Sequence, residues 1–261
     1  MQALPPIEVR RDVRDGFTLI ELLVVITIIA LIATIGLPAL KGLGKSNAIT
    51  ATDRQLLDDL GAARQRAIAD HTTVYVLFAS PAMAQPTTNL DWTTLADAQK
   101  QQITNIALGQ FTSYALYAER SVGDQPGQKT KRYLSRWKTL PDGLLIATNK
   151  FTPNTSVDGV TNFEFGSFPF PTATNKLLGQ VPYLAFNHLG QLVNARDDGS
   201  EILPIARGSI FYADINNPLA AEVTETRPGN ARTNQTTWHY VRVDGLTGRA
   251  RIEQFQIPDL Q

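Results

Sequence analysis

Residues 17–40, FTLIELLVVITIIALIATIGLPAL, carry the longest apolar run of the chain. Between Leu22 and Ile35 no polar face recurs at the spacing a half-buried helix would show, and Thr27 and Thr34 can return their hydroxyls to backbone carbonyls. A helix of this length rises roughly 36 Å, against about 30 Å for the hydrocarbon core of a bilayer. The pattern therefore predicts a transmembrane helix over 17–40. One acid, Glu21, interrupts it near the start, and Pro38 stands near the end with Gly36, Gly42 and Gly44 around it, predicting a kink or partial unwinding over residues 36–45, with a plain end of the span as the alternative. Over 46–70 the pattern changes: Ile49, Leu56, Leu60, Ala63 and Ala67 form one apolar stripe on an otherwise polar helix. Residues 41–70 read as an amphipathic continuation whose stripe packs on a sheet, so that 17–70 make one interrupted stem of about 80 Å. From residue 71 the periodicity becomes that of strands, beginning with TTVYVLFA (72–79).

Two later stretches fit this scheme less simply. SPAMAQPTTNLDW (80–92) is turn-rich and precedes LADAQKQQITNIAL, a short helix pattern with Thr94 as its expected cap. FTSYALYAE (111–119) alternates like a strand, while 121–131, 151–162 and 165–176 are loop-heavy. Residues 80–132 and 147–180 read as loop insertions around a small antiparallel sheet, and the fold class is α+β.

Charge narrows the function classes without naming one. Lys+Arg and Asp+Glu both number 24, so no global field draws the molecule to nucleic acid or acidic lipid. The absence of cysteine excludes disulfides, thiolate metal sites and cysteine nucleophiles. His71, His188 and His239 are far apart, fit no metal-ligand spacing, and read as loop or surface residues. Asp58–Asp59 and Asp197–Asp198 read as solvated charge rather than acid/base pairs. NARDDGSE (194–201) is oxygen-rich, as calcium loops are, but its spacing fits no EF-hand and a plain turn is the simpler reading. There is no phosphate loop and no nucleophile elbow. The expectation is a protein without cofactor or metal that is not an enzyme.

The leader MQALPPIEVRRDVRDG is polar and ends in Gly16, ahead of an apolar run too long for the core of an ordinary secretory signal. Its loss removes Arg10, Arg11 and Arg14 together with Glu8, Asp12 and Asp15, so the balance stays at zero. The sequence G-F-T-L-I-E-L-L-V-V-I resembles the cleavage and methylation motif of type IV prepilins and type II secretion pseudopilins. The resemblance implies that a prepilin peptidase cuts between Gly16 and Phe17 and methylates the amine of Phe17. It implies that Glu21 is the acid of subunit assembly and Pro38 the helix-breaking proline. A glycine before the cut lets a protease approach extended backbone closely; a turn at the membrane surface is the plainer alternative. An ionised acid this deep costs on the order of 2.5–3.5 kcal/mol, which points to a partner such as the amine of Phe17 on its own chain or a neighbour, with snorkelling to the headgroups as the alternative.

Four later stretches resemble the H-type minor pseudopilins, whose family includes FimT-like pilins. They are the passage AARQRAIADHTTVYVLF, WKTLPDGLLI (137–146), YLAFNHLGQLV (183–193) with its turn at Asn187–Gly190, and the closing WHYVRVDGLTGRARIEQF (238–255). The resemblance implies a pilin-like fold, with residues 1–16 as a cytoplasmic leader and 71–261 as a periplasmic β-rich domain. The chain would lie single-pass in the bacterial inner membrane and enter a filament. The implied partners are the prepilin peptidase, other pilin or pseudopilin subunits, an inner-membrane assembly platform and membrane lipid. Flanking charge only permits this orientation, with Arg10, Arg11 and Arg14 before the span and Lys41, Lys45 and Arg54 after it. The machine is either a type II secretion pseudopilus or a type IV pilus. Two rival readings remain: a DNA-binding minor pilin using Arg242, Arg249 and Arg251, which alternate on a hairpin as a solvated face also would, and a membrane-tethered domain that never polymerises.

Overall fold

The computed structural model describes residues 18–84, 92–120, 130–152, 162–172, 177–193, 195, 199–214, 221–226 and 237–256, with side chains described there except at 33–47, 84, 92, 237–238 and 254–256. Helix α1 (Leu19–Ala69) belongs to two compact units, Met1–Asn47 and Ala48–Gln261. In the first, the backbone is helical from Leu19 onward without a break at Pro38. The Pro38 side chain lies outside the described residues.

In the second unit, residues 48–69 bury the stripe that the sequence predicts. Leu56 and Leu60 are 1% exposed and Ala63 and Ala67 fully covered, while Ile49 packs against the same core from its rim. Each leucine removed from water contributes about 1.5–3 kcal/mol. The helix stops at His71, which takes a left-handed backbone (φ 47°), with Thr72 N–H donating to Ala67 O (3.1 Å) and His71 N–H to Ile68 O (3.4 Å). This pair of bonds satisfies the last carbonyls as a Schellman turn does.

Two antiparallel sheets follow. The first has the order β3 (Arg132–Tyr133), β2 (Ser113–Ala118), β1 (Val74–Phe78), β7 (Leu177–Phe186), β6 (Glu164–Pro169), with β4 (Lys138–Thr139) also on β2. The second runs β11 (Ala250–Gln256), β10 (Thr237–Asp244), β8 (Ser200–Tyr212), β5 (Leu144–Ile146), with β9 (Ala221–Thr226) on the far half of β8. Val74, Val76 and Phe78 join the α1 core with Leu203 and Ile205 of β8 and Val241 and Val243 of β10. Leu77 and Ala79, one pleat out of phase, join a second core with Ile103, Ile106 and Ala107 of helix α2 (Asp97–Ala107). The first sheet is thus apolar on both faces, which explains why every residue of β2, SYALYA, is buried.

That second layer revises the expectation of peripheral insertions over 80–132. The segment supplies an inner strand, β2, and the helix covering the sheet's other face. Its cap also differs. Helix α2 starts after Ala96, whose N–H is held by Gln99 Oε1 (3.2 Å), while Thr94 lies in a preceding 3₁₀ turn. The three hairpin and turn motifs are formed as the sequence suggests. Gly143, Gly190 and Gly248 all have positive φ, and Gly190 N–H bonds Asn187 O (2.8 Å) while Asp244 N–H bonds Arg249 O (3.0 Å). At Gly248 a Cβ would stand 1.9 Å from Gly190 O, so backbone proximity as well as conformation requires glycine there.

Polar side chains pin α1 to the strands. Tyr114 Oη donates to Asp59 Oδ2 (2.6 Å), Lys138 Nζ bonds Asp59 Oδ1 (2.5 Å), and Gln55 Nε2 donates to Tyr114 Oη (3.0 Å). Asp59, 8% exposed, is therefore a buried, paired acid rather than the solvated charge expected of Asp58–Asp59; Asp58 is exposed. Burial, and in most cases a nearby carboxylate, raises the pKa of several tyrosines. Tyr75 and Tyr183 are pushed up to about 12, and Tyr114, Tyr117 and Tyr133 are raised further, by burial first in every case. Below about pH 10 these phenols are neutral folded or unfolded; above it the unfolded chain ionises first, so stability falls as pH rises. Denaturant midpoints are expected to hold between pH 8 and 9 and to drop steadily above 10, with Tyr114→Phe flattening that alkaline slope. A midpoint independent of pH up to 12 would contradict the burial.

Candidate functional site

Gly16 and Phe17 lie outside the described residues, so the site is visible from Thr18 onward. There the helix begins with a reciprocal cap. Thr18 Oγ1 accepts from Glu21 N–H (3.3 Å), and Glu21 Oε2 accepts from Thr18 N–H (3.3 Å) and from the Thr18 hydroxyl (3.2 Å). This is the capping box that Thr-x-x-Glu before an apolar run encodes. The signal stands in T-L-I-E and escaped a reading that gave Glu21 the amine of Phe17, on its own chain or a neighbour, or the headgroups as its partner. Two consequences follow. The carboxylate has partners within its own subunit, at the helix end where negative charge is favoured by about 0.3–1 kcal/mol. The cap also ends the helix at Thr18, immediately beyond the expected scissile bond.

Past the cap, every described residue from Thr18 to Ile32 is exposed. Leu19 is 88% exposed, Ile29 59% and Ile32 64%, with no side facing a core. A helix whose described side chains are apolar and exposed on every side suits surroundings of lipid or other subunits. Thr27 Oγ1 donates to Val24 O (2.8 Å), so its hydroxyl leaves the apolar surface as expected; the Thr34 side chain is outside the described residues. Among the described residues no helix is long and apolar enough to cross a membrane. The side chains described in this run end at Ile32, roughly 20 Å along the helix from Leu19, short of a bilayer core.

The arginines of the closing hairpin are not one open basic strip. Arg242 and Arg251 are cross-strand partners, and both hold Glu253, Arg242 Nε at 2.9 Å and Arg251 Nε at 2.5 Å. Arg242 also donates to Ser200 Oγ (2.8 Å). Sharing the arginines lowers the Glu253 carboxyl against burial that raises it. Arg249, at the turn, is exposed and has no ion pair among the described residues. Of the three candidates it alone presents an uncommitted charge.

His239 corrects the surface reading given to the histidines. It lies on β10, and its Nε2 stands 2.6 Å from Asp53 Oδ1 of α1, with side chains 12% and 8% exposed. The pair ties the last hairpin to the stem helix across 186 positions of sequence. His71 and His188 are exposed. Among the described residues no cluster of His, Asp or Glu could hold a metal ion, and Asn194 with residues 196–198 of the oxygen-rich stretch lies outside them. A cleft of about 820 Å³ opens between α2 and the β3–β4 segment, lined by Gln102, Asn105, Ile106, Tyr133, Arg136 and Trp137. It brings together no nucleophile with a base.

Residues 12–37 match the prokaryotic N-terminal methylation motif. The match takes in Gly16, Phe17 and Glu21 and ends one position before Pro38. It supports the pilin and pseudopilin class of prepilin-type proteins, with processing by a prepilin peptidase and assembly with other pilin subunits. It is consistent with a membrane-anchored precursor. No curated protein and no solved structure matches the chain significantly.

Proposed function

We propose that this chain is a minor pseudopilin or minor pilin of the H type, with a pilin-like fold, cut after Gly16 and stored in the inner membrane by residues 17–40. The β-rich domain from residue 71 then lies in the periplasm, and an inner-membrane assembly platform draws the subunit into a type II secretion pseudopilus or a type IV pilus. The protein is a mechanical part and not an enzyme; the chemistry is done to it, at Gly16–Phe17. One observation carries this reading: a helix start whose lone acid is held by its own cap, followed by apolar side chains exposed at every described position from Leu19 to Ile32. Such a surface suits a subunit kept in lipid and later bundled with its like.

The mass of the mature amino-terminal peptide tests it. The expected species begins at Phe17 with one added methyl group on its amine; a chain found only with residues 1–16 intact favours the tethered, non-polymerising reading. The DNA-binding reading is weakened by Glu253 between Arg242 and Arg251. It predicts that Arg249→Glu with Arg251→Glu abolishes salt-sensitive DNA retention.

A further inference from the structure

Among the described residues outside the amino-terminal helix start, six large apolar side chains are strongly exposed, and four of them gather at one end of the domain. They are Ile68 (36%), Leu189 (62%), Val193 (58%) and Leu246 (77%). Their neighbourhood is set by two turns that close over the last turns of α1. A Cβ on Gly190 would stand 2.6 Å from Ile68 Cδ1 and 3.2 Å from Arg64 Nε, and one on Gly248 would stand 3.2 Å from Arg64 Cδ. Arg64 Nε donates to Thr247 O (2.6 Å), and Leu192 N–H donates to Gly245 O (2.9 Å). The turns 187–190 and 244–248 are therefore packed on each other and on the helix, so their exposed leucines belong to a fixed surface.

Charge says what that surface suits. Arg64 and Arg249 flank Gly248 on the helix and hairpin sides, and neither has an ion pair among the described residues. Asp244, on the hairpin turn itself, is committed elsewhere: its Oδ1 accepts from Thr247 N–H (2.7 Å) and from the Thr247 hydroxyl (2.8 Å), which hold its carboxyl below the usual range. Two arginines beside four aliphatic side chains favour a partner bearing carboxylates over a second copy, whose own arginines would add like charge to the contact. They also suit nucleic acid poorly, because aliphatic side chains offer bases no stacking platform.

We infer that the surface formed by Ile68, Leu189, Val193 and Leu246 with Arg64 and Arg249 is the docking face for a different prepilin-type subunit, one that brings an apolar patch bearing carboxylates. This rests on the fibre reading above and adds the face and chemistry of the contact. It stands at the end of α1 remote in sequence from the apolar stem, so it is separate from the Glu21 register contact.

The test uses the full chain in its native host, with fibres sheared from the cells. Leu246→Asp and Arg249→Glu are each expected to lower recovery in the fibre about tenfold, the factor that burying one leucine supplies. Amino-terminal processing and protease resistance of the domain are expected to stay unchanged, since both side chains are exposed. Replacing Leu246 by photoreactive p-benzoylphenylalanine is expected to yield an adduct with a different processed prepilin-type subunit. Wild-type recovery of both variants, or an adduct only with a second copy of this chain, overturns the inference while leaving the fibre reading intact. Absence of the unsubstituted chain from the fibre overturns both.

Discussion

Replacing Glu21 by glutamine is expected to lower the chain's recovery in sheared fibres by about ten- to hundredfold while its level in the membrane holds. The prediction turns on what glutamine keeps and what it loses. A glutamine side-chain oxygen can still accept from Thr18 N–H, so the capping box and the helix start survive. The negative charge does not. A hydrogen bond to a charged group contributes roughly 1.5–3 kcal/mol, and in apolar surroundings that is about one to two powers of ten in an equilibrium. If assembly exchanges the cap partners of Glu21 for the amine of a neighbouring Phe17, the exchange is favourable only with charge. Thr18→Val makes the reciprocal change: it removes a hydroxyl that now bonds the carboxylate at 3.2 Å and leaves the charge in place. Its expected effect on incorporation is smaller, with looser helix initiation as its main consequence. Immunoblots of fibre and membrane fractions from the two variants separate the roles. Equal incorporation of Glu21→Gln and the unsubstituted chain would remove the charge from the assembly step.

The parts of the molecule that were legible in sequence are those encoded within a few residues. The stripe of Leu56, Leu60, Ala63 and Ala67 repeats at helical spacing and is buried; the turns at Gly143, Gly190 and Gly248 need a backbone that few residues other than glycine adopt. The capping box was equally local and could have been found. What was hidden depends on partners far apart in the chain. Asp59 looks like half of a solvated acid pair until Tyr114 and Lys138 arrive from strands 55 and 79 positions away. His239 looks like a surface histidine until Asp53 is placed beside it. The second apolar layer was missed because FTSYALYAE reads as an alternating strand with one polar face, whereas every residue of SYALYA is buried. At the amino terminus the sequence motif and the structure agree in kind: one offers an acid in an apolar run, the other a helix start whose described apolar side chains are all exposed.

The largest stability effect expected in the domain lies at a pair that sequence gave no reason to suspect. Lys150 follows Asn149 in the 3₁₀ turn 148–151, and its Nζ bonds Glu201 Oε1 on β8. The two side chains are 0% and 3% exposed, and the ammonium also sits 4.9 Å from the centre of the Phe163 ring. Removing two charges from water costs several kcal/mol for each ion, and their mutual attraction and the ring help to offset it. Removing one partner leaves the other buried charge without its ion pair. Lys150→Met is therefore expected to cost about 3–5 kcal/mol, and Glu201→Leu a similar amount. The double variant Lys150→Met/Glu201→Leu replaces both charges by apolar side chains of related size and is expected to recover most of that loss, ending within about 1–2 kcal/mol of the unsubstituted protein. Urea denaturation of the full chain in detergent, followed by tryptophan fluorescence, measures all four corners of the cycle. Additive losses in the double variant would mean that the two groups stabilise the domain independently. Near-complete recovery, with an interaction energy of several kcal/mol, is the result the buried geometry requires.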